Sequence, residues 1–153
     1  MTRFTLLPLA FFIASAPVAA APETLPEIVV TADYRKAKTQ EIPASLTVIS
    51  EQVIEQRNAQ HLEEILNLAP NVNYSSGASR ARFYQIRGIG ERSQFVEPLN
   101  PSVGVIVDEM DFTGLGTAGT LMDVEQVEIL RGPQGTRFGA NALAGLINMK
   151  TAD

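Results

Sequence analysis

From Pro43 onward the apolar residues arrive in short strand-like runs divided by glycine-rich turns, and only one stretch carries a helical stripe. Ser45-Leu46-Thr47-Val48-Ile49 alternates with the period of a half-buried strand, and further strands are predicted at 83–89, 103–108, 126–130 and 145–151. Ser50 is placed to cap a short helix over 51–57, and Asn58 to cap a second one. In that second helix Leu62, Ile65, Leu66 and Ala69 fall at i, i+3, i+4 and i+7, with Glu63, Glu64 and Asn67 toward water, until Pro70 stops it. Pro133 to Gly139 reads as a turn leading into a short helical piece near 140–144. Strands and helices interleaved in this way imply a small mixed β-sheet with short helices, an α+β fold built as one sheet-based layer structure.

Ahead of that body the chain changes character twice. Residues 1–20 hold one positive charge at Arg3, an uncharged apolar centre from Phe4 to Ile13, and small residues up to Val18-Ala19-Ala20. That is the order of a secretory signal peptide cleaved after Ala20, and Pro8, Pro17 and the alanine-rich end argue against a membrane anchor. Residues 21–42 carry Pro22, Pro26 and the charged run Asp33-Tyr34-Arg35-Lys36-Ala37-Lys38 without helical periodicity, and read as an extended, flexible leader. Inside it lies an apolar island, Glu27-Ile28-Val29-Val30-Thr31-Ala32, rich in β-branched residues and with no partner strand nearby in sequence. Two readings of the island stay open: an edge strand of the body's own sheet, or a peptide that adds itself to the sheet edge of another protein.

The chain has 153 residues, room for one small domain. Its formal charge of −5 argues against a nucleic-acid binder, whose affinity rests on phosphate contacts. The lack of cysteine removes disulfides, thiolate zinc sites and cysteine nucleophiles together. His61, the single histidine, stands at a predicted first helical turn with no second imidazole, and reads as a surface residue rather than a metal ligand or general base. No metal and no cofactor follow from these residues.

Two glycine motifs invite a phosphate-binding reading. Gly114-Leu115-Gly116-Thr117-Ala118-Gly119 matches G-x-G-x-x-G, yet it does not follow directly on the strand expected to end at Asp108, and Ala140 stands where a ribose-binding acid is needed. Gly132-Pro133-Gln134-Gly135-Thr136-Arg137-Phe138-Gly139 lacks the Gly-Lys-Ser/Thr ending of a phosphate loop. Asp108, Glu109, Asp111 and Asp123 contain enough carboxylates for the acid pair of a glycoside hydrolase, but acids clustered at a strand end read as a solvated loop. No enzymatic activity is assigned.

An ordered series of segments carries a family resemblance. It runs through Ile42-Pro43-Ala44-Ser45-Leu46-Thr47-Val48-Ile49, residues 62–70 with Asn71-Val72, Ile86-Arg87-Gly88-Ile89, and Val103-Gly104-Val105-Ile106-Val107-Asp108. It continues through Val127-Glu128-Ile129-Leu130-Arg131-Gly132-Pro133-Gln134-Gly135-Thr136 and Phe138-Gly139-Ala140-Asn141-Ala142-Leu143-Ala144-Gly145-Leu146-Ile147-Asn148. In that order the segments resemble the plug domain of TonB-dependent outer-membrane receptors, over residues 43–153. Two departures are Phe138-Gly139-Ala140, where the family usually has Tyr-Gly and a basic or polar residue, and an acidic 108–111 stretch less glycine-rich than usual.

The resemblance implies that Glu27, Ile28, Val29, Val30, Thr31 and Ala32 form a TonB box, a strand added to the C-terminal domain of TonB. It implies that Arg87 and Arg131 face glutamates on the wall of an outer-membrane β-barrel. Loops 73–82 and 91–101 become candidates for contact with a small-molecule ligand of the siderophore, haem, cobalamin or sugar class. The implied work is to block the barrel lumen, gate ligand uptake and pass on the pull of TonB, with no covalent chemistry. Such a receptor adds a barrel of about 22 strands, and the chain reaches Asp153 where the first of them is expected. The expected location is export to the outer membrane with a barrel and to the periplasm without one; the alternative function is a soluble periplasmic module that binds TonB or another sheet edge.

Overall fold

The computed structural model describes residues 29–30, 37–38, 45–93, 95 and 97–152. The predicted signal peptide and Glu27, Ile28, Thr31 and Ala32 lie outside the described residues. Along the chain run β1 (Val29–Val30), β2 (Ala37–Lys38), β3 (Ser45–Ser50), α1 (Glu51–Gln56), β4 (Val72–Tyr74), β5 (Tyr84–Ile86), β6 (Val103–Val107), β7 (Met110–Asp111), β8 (Val124–Arg131), α2 (Gly135–Phe138) and β9 (Gly145–Thr151).

The main sheet has the order β3-β8-β9-β6-β7. β8 lies antiparallel between β3 and β9, β6 runs parallel to β9, and β7 closes antiparallel on β6, so the sheet is mixed as its pattern predicts. Strand alternation sends Ile49, Val103, Val105, Val127, Ile129, Ile147 and Met149 to one face, where Ile54 of α1 and the 62–69 segment cover them. The opposite face gathers a smaller cluster, Ile106, Leu130, Leu146, Ala142 and Val30, with Leu46 and Val48 at its border. β8 from Val127 to Leu130 and β9 from Gly145 to Met149 are covered on both faces, and β9 accordingly reads as a largely apolar run. Gly145 opens β9 where neighbours leave no room for a side chain: a Cβ there would overlap the Leu130 carbonyl and lie 2.6 Å from Ile86 Cδ1.

Three expectations need correction. The helix predicted up to Ala69 is instead two 3-10 turns, Leu62–Glu64 and Leu66–Leu68, closed by i to i+3 bonds from Ile65, Leu68 and Ala69. Asn58 has φ 50° and does not cap, and His61 is extended and bridged to Thr120, so the helical turns begin only at Leu62 and keep the tighter 3-10 form common in short pieces. The apolar stripe itself holds, since Leu62, Ile65, Leu66 and Ala69 are all buried. The strand predicted at 83–89 shrinks to β5, which leaves the main sheet and pairs antiparallel with β4. The helical piece expected at 140–144 falls earlier, as α2 and a 3-10 turn over Gly139–Asn141, because Ala142 and Ala144 are drawn into the cores on either side.

Candidate functional site

The two arginines singled out in the sequence meet at one corner. Asn71 enters β4 with φ 61°, and its carbonyl accepts the Arg87 N–H at 2.8 Å. The adjacent Pro70 carbonyl accepts Arg131 Nη1 at 3.1 Å. Arg87 and Gly88 have φ of 55° and 80°, and Ile86 and Ile89 exchange both backbone hydrogen bonds, so Ile86-Arg87-Gly88-Ile89 is a two-residue turn of the I′ form. The glycine bears one left-handed position freely, and the turn holds the Arg87 side chain out to solvent. The Arg87 guanidinium makes no hydrogen bond or ion pair among the described residues. Arg131 ends β8 half-buried, and its Nε is buried without an acceptor.

The leader contributes a second feature. Val29 pairs with Lys38 and Val30 with Ala37, so β1 and β2 form a small hairpin outside the main sheet. The expectation that the island lacks a nearby partner strand is thereby corrected; Ala37-Lys38 escapes a sequence reading because both types are depleted in strands. Val30 is fully buried against Ile106, Leu130, Ala142 and Leu146.

Loops 73–82 and 91–101 are brought together. Arg82 Nη1 lies 2.8 Å from Glu97 Oε1, and its Cζ sits 5.2 Å from the centre of the Phe83 ring. A Cβ at Gly77 would touch Phe95 Cζ at 3.6 Å. The base of the second loop is closed by Glu91, whose carboxylate accepts Ser102 N–H at 3.0 Å and Ser102 Oγ–H at 2.9 Å, and the base of the first by Glu63, which accepts the Ala81 N–H. Glu63 also pairs with Arg80 at 3.4 Å. Burial, then the charge of Glu63, then Tyr74 push the Tyr84 phenol well above its ordinary 10.0. Tyr84 donates to the Ala81 carbonyl at 3.3 Å.

The remaining sequence candidates resolve into structure. Gly116 and Gly119 let the 112–120 loop close on Arg80, Ala81 and Leu62, a packing reason for the glycine motif. Asp108 and Glu109 are the two left-handed residues of the β6–β7 turn, and Asp108 accepts Thr151 N–H and Oγ–H at 3.0 and 2.7 Å. Burial works against the Asp111 carboxylate, but hydrogen bonds from Thr113 and Asn141 outweigh it and hold its carboxyl below the usual 3.8. These acids are turn and cross-strand anchors. His61 is half-buried in its bridge to Thr120. Among the described residues no three His, Asp or Glu side chains gather in a metal-ligating group.

Sequence reasoning missed Glu128, which is fully buried on β8 and accepts Gln126 Nε2–H at 2.6 Å and Asn148 Nδ2–H at 3.0 Å. The alternation Val127-Glu128-Ile129 reads as a solvent-facing acid. The available signal is that Asn148 of β9, its partner in register, is equally out of place in an apolar run.

The profile described as TonB-dependent Receptor Plug Domain matches residues 38–146. The chain is 31% identical to the pesticin receptor of Yersinia pestis over 81% of its own length and 18% of the relative's. It is 29% identical to the vitamin B12 transporter BtuB of Vibrio vulnificus, over 84% of this chain and 21% of that one. Its fold superposes with a TM-score of 0.59 on the ferric yersiniabactin uptake receptor FyuA of Yersinia pestis, at 29% identity, covering 72% of this chain and 17% of that one. The chain thus spans about a fifth of the length of the curated relatives it matches, and these relatives are receptors and transporters rather than enzymes. From the profile over 38–146, the ordered motifs and the shared fold, the chain belongs to the plug-domain family of TonB-dependent receptors.

Proposed function

We propose that this chain is the gating plug of an exported outer-membrane receptor, that Glu27 to Ala32 is its TonB box, and that Arg87 and Arg131 dock it on glutamates of a barrel wall. The observation that carries this reading is the Pro70–Asn71 corner, which anchors both arginines on consecutive carbonyls while leaving the Arg87 guanidinium unpaired and the Arg131 Nε without an acceptor. Planar guanidinium groups bind carboxylates bidentately, and a half-buried one gains most from such a partner. The two loops tied by Arg82 and Glu97 form the ligand-facing surface. The ligand is a small molecule carried as a whole, of the iron-chelate or cobalamin kind that the relatives' names describe. No bond is made or broken in it.

Coupling to TonB rests on the backbone of the island. Strand addition draws its affinity from main-chain hydrogen bonds, and proline removes one donor and fixes φ. In a calorimetric titration with the TonB C-terminal domain, Val29→Pro is expected to abolish binding and Val29→Ile to leave it nearly unchanged. If Val29→Pro and Val30→Pro both bind as well as the parent chain, the island is not the TonB box.

A further inference from the structure

The chain as a whole is acidic, yet Arg80, Arg82, Arg87 and Arg92 crowd one short stretch that holds a single acid, Glu91. Arg80 and Arg82 flank the buried Ala81 at the base of the 73–82 loop. Each is already held by a carboxylate from another segment, Arg80 by Glu63 and Arg82 by Glu97. The two carboxylates differ in kind. Glu63 is 14% exposed and also takes the Ala81 N–H, so it is part of the framework, whereas Glu97 is 82% exposed and rides on the second loop. Exposed Phe95 stands on that second loop, and buried Phe83 lies under the Arg82 guanidinium.

We propose that Arg82, supported by Arg80, is the anion-recognising position of the ligand-facing loops, and that Glu97 is an internal competitor which an anionic ligand displaces. This rests on the plug reading and narrows its ligand to one carrying carboxylate or similarly charged oxygen groups. An exposed ion pair contributes at most about 1 kcal/mol, so an incoming polyanion replaces Glu97 at small cost. Glu63 stays, because removing it would strand the Ala81 N–H. The guanidinium remains fixed over Phe83 and presents its planar fork to the arriving oxygens. A neutral ligand gains nothing from this exchange, so the pair discriminates by charge.

The test uses the full chain, labelled with nitrogen-15, titrated with citrate against sodium chloride at matched ionic strength, and read at the arginine Nε–H and the 80–82 amide signals. Citrate is expected to shift the Arg82 signals saturably, Glu97→Gln to tighten that binding about fivefold, and Arg82→Gln to abolish it. Arg57→Gln, which removes the same charge from an exposed site outside both loops, is expected to change affinity less than twofold. Equal affinity in Glu97→Gln and the parent, an Arg57→Gln loss as large as that of Arg82→Gln, or identical shifts with chloride would each overturn the proposal. Glu97→Gln alters an exposed side chain, so that arm stands even if Arg82→Gln fails to fold. TonB binding by the same samples separates the two readings: chains that bind TonB but not citrate refute only the anion site, and chains that bind citrate but not TonB refute only the TonB box.

Discussion

Arg131 donates from Nη1 to the carbonyl of Pro70, 61 positions earlier in the chain, at 3.1 Å. This bond ties the end of β8 to the corner from which Arg87 also hangs. It satisfies one guanidinium nitrogen and leaves Nε buried without an acceptor.

Arg131→Ala is therefore expected to cost the chain about 1 kcal/mol, the worth of one hydrogen bond. Arg87→Ala, at an exposed side chain, should cost less than about 0.5 kcal/mol. Beside a barrel whose glutamates take the two guanidinium groups, either change strands a buried carboxylate and costs roughly 3–5 kcal/mol. Denaturant melts of both variants with and without a barrel check this, and equal costs in the two settings would remove the docking role.

Glu128→Ala leaves the buried Asn148 amide without its acceptor and takes one from Gln126, and should destabilise by about 2–3 kcal/mol. Glu128→Gln keeps a carbonyl oxygen in place and should cost less. Replacing Glu128 and Asn148 together by leucine should recover part of the loss, because the buried Asn148 amide is then removed with its acceptor. Chemical denaturation of the three variants gives the coupling directly; additive costs would mean that the pair does not act as a unit.

Tyr84 supplies a pH signature. Burial and the nearby Glu63 charge raise its folded pKa above the ordinary 10.0, so the native state keeps a proton that the unfolded chain releases. Stability from this group is complete below about pH 10 and is lost as pH climbs beyond it. Tyr84→Phe should flatten the loss of stability between about pH 10 and 11.5 and cost about 1 kcal/mol at neutral pH for the bond to Ala81. Urea midpoints measured across that range decide it; an unchanged alkaline slope in Tyr84→Phe would assign the effect elsewhere.

How much of this was legible depends on whether neighbours in sequence or in space decide. The 145–151 strand is legible with its full bounds because Gly145 to Met149 forms a short, largely apolar run that begins at a glycine, and every residue of that run is buried. The 62–69 stripe is legible as a buried face but not as 3-10 geometry, and the His61–Thr120 bridge that precedes it joins positions far apart in sequence. β4 shows only Val72 to the core, with Asn73 and Tyr74 exposed, so a three-residue strand left almost no trace. Arg87 and Arg131 were reached only through the family resemblance. Nothing local tells that Pro70 and Asn71 hold them both, since that corner exists only after β5 and β8 are folded.

Val30 has two demands on it. It is fully buried in the cluster on the second face of the main sheet, and it lies in the segment proposed to pair with TonB. A strand added to another sheet exposes alternate side chains to that partner, so Val30 cannot stay in its present contacts if the pairing runs through Val29 and Val30. TonB then binds only chains whose leader has lifted off, and its apparent affinity is reduced by the fraction that remains docked. Trimming the receiving pocket instead of the leader isolates the effect. Ile106→Val leaves the sequence of the island unchanged, should weaken leader docking by about 0.5–1.5 kcal/mol, and should raise apparent TonB affinity roughly two- to tenfold. The control is Ile129→Val, on the opposite face of the same sheet, which should lower global stability by a similar amount without changing TonB affinity. Calorimetric titrations of the two variants against the TonB C-terminal domain decide the matter: if they bind alike, burial of Val30 does not compete with TonB.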